Sequence, residues 1–154
     1  MSDLSKLYQE TILDHHRAPR NAGRLPDPTH TAEAHNPLCG DRIHLSVRVG
    51  ELPDGAATPG VLEICCDTQG CALCRASGSL LSELVRGHSL TEVREWLRQF
   101  LELASGAPDS GPALDGQLLG AVAALLEVRK FPSRRRCVSL SWEALRTALG
   151  SEQG

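Results

Sequence analysis

At Gly70 the apolar residues of this chain switch from a period of two to a period of 3.6, and that switch constrains the fold more than any other feature. Upstream, Arg42 to Val49 alternates strictly, with Ile43, Leu45, Val47 and Val49 on one side and Arg42, His44, Ser46 and Arg48 on the other. This is the pattern of a strand with one buried face. Turn residues Pro53, Asp54 and Gly55 precede a second apolar run, Val61 to Cys66, which suits a strand returning as an antiparallel hairpin. Thr31 to His35 is read as a third strand. Downstream of Gly70, Leu73, Ala76, Leu80 and Leu84 fall on one helical stripe that stops at Gly87. Cys71 therefore stands where a strand gives way to a helix.

Helical spacing recurs at both ends of the chain. Leu4, Leu7, Tyr8 and Ile12 make an amphipathic helix over residues 3 to 16, stopped by the stretch Pro19 to Gly23. Ser89 and Glu92 have capping-box spacing ahead of Leu90, Val93, Leu97, Phe100 and Leu101, a helix to about Ala104. Ser105 to Pro112 reads as a surface linker. Leu114, Leu118, Val122 and Leu125 suggest a further helix broken near Pro132; Val138, Trp142, Leu145 and Leu149 suggest a last one, with Cys137 at its start. The expected class is α+β, a small three-stranded antiparallel sheet with helices packed on one face. A length of 154 residues fits one domain, residues 1–154.

Charge and hydropathy exclude several functions. Sixteen Lys and Arg against 19 Asp and Glu leave a net charge of -3, which gives no broad footprint for nucleic acid or an anionic membrane. Asp3, Lys6 and Glu10 interrupt any secretory apolar region, and no apolar run approaches the roughly 20 residues that span a bilayer. The expected setting is soluble, intracellular and cytoplasmic. In a reducing compartment six cysteines call for a metal or for thiol chemistry, and a disulfide framework is the bland alternative.

In Asn36-Pro37-Leu38-Cys39-Gly40-Asp41, the thiol and the carboxylate are two residues apart. Extended residues at that spacing project to one side, so both can reach one ion, and Gly40 permits the bend that brings them together. A tight turn with a buried cysteine and a capping aspartate is the bland alternative. Cys71 and Cys137 each precede a helical stripe and have arginines nearby, Arg75 and Arg134 to Arg136. Helix N-termini and cations both favour thiolates. Cys65 and Cys66 belong to an apolar strand and read as small core residues. Cys71 and Cys74 form C-x-x-C, a redox pair or half a zinc finger in other settings; here no parallel βαβ pattern and no second well-spaced pair accompany it. His35 near Cys39 is either a ligand or proton carrier, or a solvated loop histidine, the commoner case.

Several motifs in order carry a family resemblance: Leu7-Tyr8-Gln9-Glu10-Thr11-Ile12-Leu13-Asp14-His15, Pro19-Arg20-Asn21, Asn36 to Asp41, Gly70-Cys71-Ala72-Leu73-Cys74-Arg75-Ala76-Ser77, and Phe131-Pro132-Ser133-Arg134-Arg135-Arg136-Cys137. From about residue 6 to residue 146 the chain resembles the U-type iron-sulfur scaffold proteins. Two branches of that superfamily differ in role. The IscU branch is a scaffold on which clusters are assembled, and the SufU branch is a zinc-dependent sulfur-transfer partner of a cysteine desulfurase. The IscU branch typically carries a histidine before its last cysteine and a Leu-Pro-Pro-Val-Lys chaperone motif upstream. Here Arg136 and Phe131-Pro132-Ser133-Arg134 stand in those places. The 66-residue separation of Cys71 and Cys137 leaves room for an extra helical segment, Glu92 to Asp115, of the kind the SufU branch carries. The resemblance is therefore closest to SufU. Relatives commonly have a serine where this chain has Cys74, which leaves open an exchange with Cys71 or an oxidative disulfide.

The resemblance implies a metal site of Cys39, Asp41, Cys71 and Cys137, with Cys39 accepting persulfide sulfur from a SufS-like desulfurase and passing it to downstream assembly proteins or apo-proteins. Three thiolates and a carboxylate match the four donors of tetrahedral zinc, and thiolates suit iron-sulfur clusters as well. Asp41, the harder donor, is the labile position. Two further readings stay open. One is a non-enzymatic scaffold holding a [2Fe-2S] cluster on Cys39, Cys71 and Cys137, released with the help of Asp41; the other is a purely structural zinc domain. Arg42, Arg75 and Arg134 to Arg136 are read as offsetting the site's charge or docking a partner, with a solvated turn as the bland alternative for the run Arg134 to Arg136.

Overall fold

The computed structural model describes residues 3–38, 40–53, 55, 57–104, 116–126 and 131–150. Cys39, Asp54, Leu114 and the linker expected over residues 105–112 lie outside the described residues. The elements run α1 (Asp3–Arg17), β1 (His30–Asn36), β2 (Asp41–Glu51), β3 (Pro59–Gln69), α2 (Ala72–Val85), α3 (Leu90–Ala104), α4 (Gly116–Leu126) and α5 (Pro132–Leu149). The three strands form one antiparallel sheet in the order β1-β2-β3, so the chain has the expected α+β architecture.

Strand alternation sorts the side chains. Ala32 and Ala34 oppose Leu45 and Ile43, which in turn oppose Cys66 and Thr68, and this face packs beneath α2, α3 and α5. Ile43, Leu45, Val47, Val61 and Ile64 are buried with Leu81, Leu97, Phe100, Leu140, Trp142 and Leu145 from the helices. The opposite face carries Glu33, His35, Arg42, His44, Asp67 and Gln69. Ser46 is on that outer face yet buried, because the chain ahead of β1 crosses it and Leu25 N–H donates to Ser46 Oγ at 3.0 Å. The free edge of β3 is covered by residues 21–23: Cys66 N–H donates to the Asn21 carbonyl at 2.9 Å and Gly23 N–H to the Cys66 carbonyl at 3.2 Å. Covering an edge removes a template for pairing with other chains.

Several expectations change. Cys66 is core, its Sγ 3.7 Å from the Gly78 carbonyl, but Cys65 follows the period of two onto the outer face opposite Ser46 and is only half-buried. The last helix starts at Pro132 rather than Cys137, because a proline that cannot continue a helix is well suited to its first position, where no N–H is needed. Cys137 is thus the sixth residue of α5, more than a turn inside it, and the helix N-terminus no longer accounts for its state. The run Arg134 to Arg136 occupies the first two turns of α5 instead of a solvated turn. The capping box forms as its spacing suggests, with Glu92 N–H donating to Ser89 Oγ at 3.2 Å.

Candidate metal centre

The hairpin between β1 and β2 is closed by the pair Asn36 and Asp41, so residues 37–40 form its loop and Asp41 is the first residue of β2. Asp41 is 2% exposed. Its Oδ1 accepts the Cys71 N–H at 3.0 Å, and Cys71 is the residue that caps α2. A carboxylate there meets an unsatisfied helical donor and the positive end of the helix dipole. Asp41 Oδ2 lies 3.6 Å from Cys71 Sγ. The ligand atoms of Asp41, Cys71 and Cys137 all lie within 4.8 Å of one another, although Cys137 is 66 residues beyond Cys71.

Gly70 makes this approach possible. A Cβ there would stand 2.5 Å from Asp41 Oδ1 and 2.8 Å from its Cγ, so only glycine leaves room for the carboxylate. A second device registers the two cysteine-bearing helices. Ser77 Oγ, fully buried on α2, donates to the Val138 carbonyl of α5 at 2.5 Å and accepts the Trp142 Nε1–H at 2.9 Å. Trp142 stacks on Phe100 of α3 with ring centroids 3.8 Å apart and planes 16° from parallel. Val138 follows Cys137 directly, so the bridge fixes one thiol against the other.

Burial pushes the Cys137 thiol well above its ordinary range, and the neighbouring Cys71 and Asp41 add to the effect through charge and hydrogen bonding. Crowded acids of this kind resist ionising together until a cation sits among them. The donor set of two thiols and a carboxylate is one that a tetrahedral zinc accepts, and the thiolates suit an iron-sulfur cluster as well. Zn–S of about 2.3 Å and Zn–O of about 2.0 to 2.2 Å in a tetrahedron set sulfur and oxygen about 3.5 Å apart, close to the Cys71–Asp41 spacing.

Of the expected ligands, the structure brings together Asp41, Cys71 and Cys137. Cys39 lies outside the described residues, between Leu38 and Gly40 of the hairpin loop. Cys74 is fully buried in the core one turn into α2 and is not among the clustered ligand atoms. His35 is exposed on the outer face of β1. No disulfide joins the described cysteines. Sequence reasoning named Gly70, Ser77, Trp142 and Asn36 but assigned them no part in building the site; Asn36 is buried and accepts the Leu38 N–H through Oδ1 at 3.1 Å. Two signals were present: a glycine immediately before a candidate ligand, and serines interrupting an apolar helical stripe.

The family model for the NifU-like N-terminal domain matches residues 7–138. The chain belongs to that family. Among curated proteins, it is 32% identical to the zinc-dependent sulfurtransferase SufU of Bacillus subtilis (strain 168), over 99% of this chain and 96% of that protein. It is also 32% identical to the iron-sulfur cluster assembly scaffold protein IscU of Streptococcus pyogenes serotype M1, over 97% and 86% respectively. A solved structure described as a SufU-type iron-sulfur cluster assembly scaffold protein, from Fervidobacterium islandicum AW-1, superposes with a TM-score of 0.76 at 25% identity, covering 94% of this chain and 98% of that one. The family is thus one of iron-sulfur cluster assembly, and both SufU and IscU names occur among its members. No helix of the described residues is long and apolar enough to cross a membrane.

Proposed function

We propose that this protein is a zinc-dependent sulfur carrier of SufU type, receiving persulfide sulfur on Cys39 from a cysteine desulfurase and passing it on within iron-sulfur cluster assembly. The observation that carries the reading is the 3.6 Å approach of a buried carboxylate to Cys71, with Cys137 beside them, in a geometry that suits zinc with one hard, exchangeable ligand. The near full-length similarity to a zinc-dependent sulfurtransferase supports it, as does α3, most of which lies in the segment Glu92 to Asp115 of the kind the SufU branch carries.

Bound zinc holds thiols as thiolates at neutral pH and shields them from oxidation. Asp41, Cys71 and Cys137 are the residues that would hold it, with Cys39 as the fourth donor. In the transfer step the Cys39 thiolate attacks the outer sulfur of the donor persulfide. The donor's S–S bond breaks, its inner sulfur leaves as a thiolate, and the proton stays on the transferred sulfur. The sulfur passes at one oxidation level, so no oxidant or reductant is consumed. The role falls to Cys39 in this reading because in sequence it stands between β1 and β2 rather than at a packed helix.

Elemental analysis with a visible spectrum on anaerobically purified protein tests the reading. Stoichiometric zinc without charge-transfer bands is expected. Bound iron with acid-labile sulfide would favour the scaffold reading, in which the same thiolates hold a [2Fe-2S] cluster, a reading that the IscU relatives support.

A further inference from the structure

We infer that the free edge of β1 pairs with the same edge of a second copy of this chain, antiparallel about a twofold axis at Ala34, joining two three-stranded sheets into one of six strands. The two edges of the sheet are treated differently. β3 is covered in two places: residues 21–23 bond to Cys66, and near the other end Val61 N–H donates to the His88 carbonyl at 3.0 Å and Gly87 N–H to the Val61 carbonyl at 2.7 Å. β1 has no such cover. Alternate residues of an edge strand turn their N–H and C=O away from the sheet. Among the described residues, no hydrogen bond besides the β1–β2 ladder reaches the backbone of Thr31 to His35.

Exposed edges are commonly blunted by proline, lysine or a bulge. β1 carries none of these between His30 and Asn36, and its register with β2 is unbroken over all seven residues. A regular edge of that length is a template for another strand. The side chains at the edge do not obstruct one. Thr31, Glu33 and His35 stand exposed on the outer face, and the inner face offers only the small Ala32 and Ala34 ahead of Asn36.

Charge selects the occupant and the register. With the axis at Ala34, Glu33 of each copy stands opposite His35 of the other, Ala34 opposite Ala34, and Ala32 opposite Asn36. The carboxylate and imidazole pair therefore occurs twice, on the outer face, as a self-complementary twofold contact requires. Both groups are available for it. Glu33 is 75% exposed and uses only Oε1, toward His44 of its own sheet at 3.2 Å, and among the described residues no hydrogen bond or ion pair engages the His35 side chain. At the axis two methyl groups meet, so nothing bulky separates the backbones. An axis at Glu33 would set Glu33 against Glu33, and an axis at Ala32 would set Glu33 against Thr31. In the favoured register Asp41, on β2, is one strand removed from the seam, and the two metal centres lie toward opposite ends of it.

Sedimentation velocity on the full chain as purified, under a thiol reductant so that no disulfide links copies, tests the inference. Wild type is expected to pass from monomer to dimer as its concentration rises. Glu33→Lys sets a cation against His35 of the other copy, and His35→Glu sets a carboxylate against its Glu33, so each variant alone should associate about tenfold more weakly. An equimolar mixture of the two should associate about as tightly as wild type. In that mixed pair the new lysine faces the new glutamate, and the unchanged Glu33 faces the unchanged His35. Circular dichroism checks that each variant is folded. Should Glu33→Lys fail that check, the double variant Glu33→His with His35→Glu, which exchanges the pair within one chain, is expected to dimerise like wild type. A wild type that stays monomeric up to about 1 mM overturns the inference. So does a dimer that the single variants leave intact, or one that neither the mixture nor the exchanged pair restores.

Discussion

The two sides of the candidate centre are built differently. Cys71 and Cys137 stand on helices registered by a buried hydrogen-bonded bridge and an aromatic stack, Ser77 to Trp142 to Phe100. Asp41 arrives from a hairpin whose tip is open to solvent, and its carboxylate reaches the site across the bare backbone of Gly70. Two thiols are thus fixed by the core while the hairpin side supplies the carboxylate. A storage site gains nothing from that asymmetry. A transfer site does, because one side can let go while the other keeps hold.

Disrupting the core side should have the largest effect. Trp142→Ala removes the stack and leaves Ser77 without its indole donor, so stability should fall by about 3 to 5 kcal/mol, as for large aromatic truncations, read from urea unfolding. Ser77→Ala keeps the volume but strands the Trp142 N–H in the core, for about 1 to 3 kcal/mol. Both variants should lower zinc affinity along with stability, since the two thiols lose their mutual register.

Gly70→Ala sharpens the comparison by acting between the sides. The added Cβ has no place while Asp41 stays where it is, so the expected result is a cost of about 1 to 3 kcal/mol or an expelled carboxylate, seen as an altered oxygen shell around bound zinc by X-ray absorption. Asp41→Ala should leave metal bound on the thiolates and slow sulfur transfer. Loss of metal with no effect of its own on transfer would make Asp41 an ordinary structural ligand. Gly40→Ala is milder: nothing lies within 4 Å of the new Cβ, so only the cost of a left-handed backbone remains, about 1 to 2 kcal/mol.

The smallest effect lies away from the site. His15 is buried between α1 and α2; the Ser79 hydroxyl accepts the Arg20 N–H at 2.9 Å and is hydrogen-bonded to His15 Nδ1 at 2.6 Å. Burial, with help from Arg20, lowers the pKa of His15 from its ordinary 6.5, against the pull of Glu83 and Asp14. Between the lowered value and 6.5 the unfolded chain binds more protons, so stability rises with pH through that window. The contribution is complete above about pH 6.5 and fades as the pH falls through the folded pKa. Urea midpoints at pH 7.5 and 5.5 should therefore differ more in wild type than in His15→Gln.

Much of this was legible in the sequence because the signals were local. Alternation marked β2 and its buried face, and the change of period at Gly70 placed Cys71 at the head of α2. What was not legible depended on contacts between distant segments. The start of α5 was misplaced because Pro132 reads equally well as a breaker and as a first helical residue, and only packing chooses between them. Cys65 and Cys66 looked alike in an apolar run, yet neighbours in a strand face opposite ways. The Ser77–Trp142 bridge spans 65 residues, and no spacing rule announces a bond of that reach.

The central claim is that Cys39 moves sulfur while Cys71 and Cys137 stay with the metal. Anaerobic incubation of the zinc-loaded protein with its desulfurase and free cysteine, followed by alkylation and peptide mass spectrometry, tests it most directly. One added sulfur should be found on Cys39, zinc should remain bound, and Cys39→Ser should abolish acceptance while Cys65→Ser and Cys66→Ser leave it nearly intact. Sulfur found on Cys74 or Cys71 instead would make that pair the reactive unit and contradict the account.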